Sequence, residues 1–224
     1  MVHALKEWLP VVREAGRGTT QILFRRGGIR DRRFELRGGR SLLFPTTFHV
    51  NLDGIGEQFL KNPALHADLA DVDVRTWASI PCELAFEITG AWSTRDPKVS
   101  EALDPWHCYG PRFIEERLGG ASMTVVELRA YRLRDPVVLT SADRFFGCFA
   151  WIDLDASVDP GRLEDAVACV EDAVFLRRQE MTREALHGLD DLTELKVPRE
   201  TRAADPPRYS FHIFTSPSSP RSTL

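Results

Sequence analysis

The apolar residues of this chain come in short runs cut by proline and glycine. Such punctuation favours paired strands over a long helical bundle. Ser41-Leu42-Leu43-Phe44 is a continuous apolar run ended by Pro45, as expected of a buried strand. Glu7–Arg13 and Thr20–Arg25, split by the Gly16-Arg17-Gly18 turn, read as a hairpin. Val72–Ile80 and Glu83–Ile88 read as a second strand pair, and Met123–Leu133, Val137–Leu139 and Gly147–Leu154 as three more strands. Pro111 opens a short helix that glycine closes at 119. Leu163, Val167, Val170, Val174, Met181 and Ala185 follow helical spacing up to Gly188. These elements predict an α+β fold built on a mostly antiparallel sheet, or a small β-barrel of the PUA-like kind, with a few helices and a C-terminal helix.

Three segments are expected: an α+β core over 1–157, a helical segment over 158–195, and a Pro/Ser-rich flexible tail over 196–224. Within the tail, Tyr209 to Phe214 alternates like an edge strand and is a candidate contact for a protein partner. The first residues lack a basic segment followed by an apolar one, and no apolar stretch reaches membrane-spanning length. A cytosolic location with no membrane partner is expected. The four cysteines have no Cys-x-x-Cys spacing, so a metal ribbon is not signalled, no cofactor is implied, and buried free thiols are expected.

Charge is unevenly spread. The chain's formal net charge is −4, yet from Arg13 to Arg40 nine arginines face Glu14, Asp31 and Glu35, a local net of 9 − 3 = +6. A basic N-terminal region on an acidic body suits an anionic partner, DNA or RNA, although it can also pair with the body. Arg25, Arg26, Arg30, Arg32 and Arg33 flank Gly27-Gly28, where a phosphate backbone could approach. The segment lacks the glycine spacing and Lys-Ser/Thr end of a P-loop. His49 follows the Leu43–Pro45 strand end and, with Trp8 and Thr46, is a candidate pocket residue. As an alternative, His49 or His107 could work as an acid–base residue with Glu7 as partner and Arg117 on an anionic substrate. The carboxylates around Glu83 lack a following Glu-x-Lys, which disfavours a nuclease.

Several of these motifs also occur together in a known family. Ala4-Leu5-Lys6-Glu7-Trp8, Gln21 through Ile29, Leu43-Phe44-Pro45-Thr46 with His49, His107 through Arg117, Leu128 through Leu133 with Pro136, and Gly147-Cys148 with Trp151 appear in the family's order. The chain resembles the uncharacterised bacterial proteins grouped as domain of unknown function 1802. It departs from their pattern at Val50, where glutamine is usual, and at Arg25-Arg26, where Arg-Lys is usual. The resemblance implies DNA-related work by association, because similar domains are sometimes joined to restriction-type nuclease modules. The expectation is therefore a non-enzymatic nucleic-acid-associated module, linked to restriction-modification or defence, with an enzyme or a protein-interaction domain as alternatives.

Overall fold

The computed structural model describes residues 1–26, 34–47, 60–62, 64–67, 72–118, 122–155 and 158–199. Its strands are β1 (His3–Trp8), β2 (Ile22–Arg25), β3 (Ser41–Thr46), β4 (Ser79–Thr94), β5 (Met123–Thr140), β6 (Trp151–Asp153), β7 (Val167–Ala168) and β8 (Thr193–Glu194). The helices are α1 (Leu9–Gly16), α2 (Ala64–Ala67), α3 (Val99–Ala102), α4 (Pro111–Leu118), α5 (Gly161–Glu164) and α6 (Asp172–His187). Pairing runs β2-β5-β4-β3-β1-β6, with β7 added on β5 and β8 on β4. Among the described strands, only β1 and β3 pair in parallel; the other pairs are antiparallel. The sheet is open, and no pairing between the described parts of β2 and β6 closes it into a barrel.

Both faces of the sheet are covered. Leu5 and Leu43 point into one core with Leu84 and Phe86, while Ala4, Leu42 and Phe44 point into a second with Ile80 and Tyr131. Alternate residues of a strand leave on opposite faces, so a continuous run such as Leu42-Leu43-Phe44 fills both cores at once. Each fully buried Leu or Phe contributes about 1.5–3 kcal/mol relative to exposure.

Several local expectations are corrected. Leu9–Gly16 is a helix and not the second half of a strand: Pro10 stands in its first turn, and Leu9, Val11, Val12 and Ala15 are buried. Around Val74 the chain makes a 3-10 turn instead of a strand, because the Asp73 side chain accepts from Arg75 N at 2.9 Å and caps it. Met123–Thr140 is one strand across Pro136. Its pairing with β4 jumps from Arg132↔Leu84 to Val137↔Cys82, so Pro136 lies in a bulge where its missing N–H breaks no ladder bond. The expected strand over Gly147–Leu154 is confined to Trp151–Asp153.

The helical spacing that begins at Leu163 belongs to three elements, α5, β7 and α6. The buried face of α6 is Phe175, Gln179, Thr182 and Leu186, whereas Val174 and Met181 are exposed. Residues 158–199 do not stand apart from the sheet. Beyond the β7 and β8 pairings, Gln179 Nε2 donates to the fully buried Glu127 carboxylate at 2.7 Å, beside Gln21 Nε2 at 3.2 Å and Thr89 Oγ1 at 2.9 Å. No helix of the described residues is long and apolar enough to cross a membrane. Of the expected buried thiols, Cys82 and Cys108 are buried, Cys169 is half-buried and Cys148 is exposed.

Candidate functional site

Parallel pairing of β1 with β3 sets Trp8 opposite Thr46 and Glu7 opposite Pro45. Glu7 Oε1 accepts from Trp8 N at 2.8 Å, and Oε2 accepts from Arg25 Nη1 at 2.7 Å. Trp8 packs edge-on against Phe113 at 5.3 Å and is tilted against Tyr109 at 6.4 Å. The Tyr109 hydroxyl is buried close to Glu7. Burial, together with the nearby Glu7 charge, pushes its phenol well above the usual range. Next to Glu7 in sequence, Lys6 is buried and donates to the Gly147 carbonyl at 2.7 Å. Burial brings its ammonium down to about 8.

Glu7, Trp8 and Thr46 are buried here and Arg25 is half-buried. His107 lies beside them, with its ring 4.9 Å from that of Phe24. Its Nε2–H donates to the Ser100 carbonyl at 3.0 Å and its Nδ1 accepts from Tyr109 N at 3.2 Å. Burial pushes the imidazole down to about 4. Both nitrogens are thus engaged with backbone, and the ring is neutral at physiological pH. Arg30, Arg32, Arg33, His49 and the Tyr209–Phe214 segment lie outside the described residues, and so does the side chain of Arg117 on α4.

The other arginines of the basic region divide by partner. Arg25 is paired with Glu7, Arg17 with Glu14 at 2.5 Å, and Arg40 with Glu164 at 3.8 Å. Arg37 is paired with Glu35 at 3.1 Å and also with Asp153. Arg26 is exposed just beyond β2. The Arg13 side chain is exposed and makes no hydrogen bond or ion pair with any described residue.

Arg13 opens onto a groove of about 310 Å³ between α1 and the bulged part of β4 and β5. Leu9, Val12 and Leu84 form its apolar floor, and the half-buried Trp77 and Pro81 line it. Its charged lining is Arg13, Arg17, Arg132 and Glu83, a formal sum of 3 − 1 = +2. Arg132 Nη2 donates to the Gly16 carbonyl at 2.9 Å, and its Nη1 stands 3.6 Å from Glu83 Oε2. In an α-helix, Arg13, Gly16 and Arg17 share one face through their i, i+3, i+4 spacing. Reading this stretch as a strand hid that face, and Trp77 and Arg132 gave no local signal of convergence. Among the described residues, no group of three or more His, Cys, Asp or Glu side chains could hold a metal ion.

Fold and groove together define an α+β protein with an open mixed sheet, a core on each face and a cationic surface cleft. The model of the family described as Domain of unknown function (DUF1802) matches residues 4–181, and the chain belongs to that family. The match ends within α6, beyond Trp151, the last residue of the motifs read from sequence. No curated protein and no solved structure matches the chain.

Proposed function

We propose that this protein is a non-enzymatic nucleic-acid-associated binding module whose phosphate contacts are made at the groove beside α1. One observation carries the reading: three guanidiniums and a single carboxylate border an apolar cleft that also contains Trp77. Guanidiniums match phosphate oxygens in charge and in hydrogen-bond geometry. Arg13 is available for such a contact without giving up a partner among the described residues. Arg26, Arg30, Arg32 and Arg33 are proposed as flanking phosphate contacts, whereas Arg25 is assigned to its ion pair with Glu7. The links to restriction-modification or defence, and a cytoplasmic bacterial setting, belong to the same proposal and are supported by the family resemblance alone.

The experiment is a titration of the purified protein with labelled DNA and RNA over a series of salt concentrations. Phosphate contacts release counterions, so log affinity falls linearly with log salt, by about 0.7 per contact on single strands and about 0.9 on duplex. Contacts from the three groove arginines contribute about −2 to −3 to this slope, and the flanking arginines steepen it further. Absence of binding at low salt, or a slope near zero, removes the proposal.

A further inference from the structure

We infer that the groove beside α1 takes one unpaired nucleotide of a single strand, with its phosphate on Arg13, Arg17 and Arg132 and its base over Trp77 and the Leu84 side of the floor. The inference rests on the nucleic-acid reading and narrows it to a substrate class. At about 310 Å³ the cleft is near the small end of ligand pockets, a size suited to one nucleotide and not to a duplex. Its lining is divided, with guanidiniums at the rim and apolar side chains below them. A duplex offers phosphates and sugars to such a surface but keeps its base faces stacked inside, so the apolar floor would stay wet. An unpaired nucleotide supplies an anion and a flat apolar face within one residue, and base–aromatic stacking tolerates any base.

Gly16 keeps that corner of the groove open. A Cβ built there would lie 2.9 Å from Arg132 Nη2 and 3.2 Å from Leu84 Cδ1. A larger side chain would therefore displace the guanidinium from the Gly16 carbonyl and fill the space a base would occupy, without altering the charge of the rim.

The test compares a short labelled single strand with the duplex of the same sequence, in DNA and RNA versions, by fluorescence anisotropy at one low and one moderate salt concentration. The expected result is tighter binding of the strand than of the duplex. Trp77→Ala should weaken strand binding about fivefold or more while leaving duplex binding and the salt slope nearly unchanged, and Gly16→Leu, which moves Arg132 as well as filling the base's space, should weaken strand binding by at least as much. Circular dichroism of both variants establishes that they fold, and Gly16→Leu carries the test if Trp77→Ala does not. Equal affinity for strand and duplex with a normal salt slope overturns the single-nucleotide inference and leaves the nucleic-acid reading standing. Binding of neither form overturns both.

Discussion

The Glu7 carboxylate and the Arg25 guanidinium meet at 2.7 Å, although β2 stands first and β1 fifth in the order of the sheet. The sheet must therefore curl until strands four places apart face each other, and the ion pair ties that curl. Only 5% of the Glu7 side chain and 17% of the Arg25 side chain are exposed, so either charge left alone would be poorly hydrated. Arg25→Met is predicted to cost about 3–5 kcal/mol. The double variant Glu7→Gln/Arg25→Met should cost clearly less, because it strands no charge. Denaturant unfolding of the three proteins checks this, and equal losses in single and double variants would contradict it.

His107 predicts a pH dependence. Its folded pKa is about 4, against an ordinary histidine value of 6.5, because burial disfavours the charged ring. The unfolded chain therefore binds more protons between these values, and stability falls as pH drops through that window. The stabilisation is fully present above about 6.5 and its loss amounts to on the order of 3 kcal/mol by pH 4. Comparison with His107→Gln, which does not titrate, isolates the contribution: the stability gap between the two proteins should shrink across the window. An NMR titration midpoint near 6.5 for His107 would contradict the account.

Thiol reactivity should rank by burial. Burial pushes Cys82 and Cys108 up to about 12 and raises Cys169, whereas Cys148 is exposed. The thiolate is the reactive form. Iodoacetamide on the native protein should label Cys148 first, Cys169 slowly, and Cys82 and Cys108 only after unfolding, as read by peptide mass spectrometry.

The stretch after α6 is strapped across the sheet. Thr193 and Glu194 pair with β4, Leu195 N donates to the Ala91 carbonyl at 2.8 Å, and Pro198 lies so close to Gly38 that a Cβ there would overlap its carbonyl. Gly38→Ala is predicted to lift this strap at a cost of roughly 1–3 kcal/mol, the range for an overpacked contact. Faster hydrogen exchange at the Leu195 amide would report it.

What could be read from the sequence was the local pattern with an unambiguous period or cap. Leu42-Leu43-Phe44 and the Pro111 helix needed no distant partner to be recognised. Helix α1 was misread because Leu9, Val11 and Val12 are equally at home in a strand, and Pro10 was the only local sign that decided between them. The interior positions of Glu7 and Arg25 were beyond reach. Both residues read as surface charges until the curl of the sheet brings them together. The groove was hidden for the same reason, since Arg13, Trp77 and Arg132 come from elements far apart in the chain.

The most direct measurement is the salt dependence of single-strand binding for the unaltered protein and for Arg13→Glu/Arg17→Glu, with Arg112→Ala outside the groove as control. Two lost phosphate contacts at about 0.7 each should make the log–log slope shallower by about 1.4, while the control keeps the full slope. A slope unchanged by the double charge reversal, with the protein still folded and still binding, would contradict the assignment of phosphate contacts to this groove.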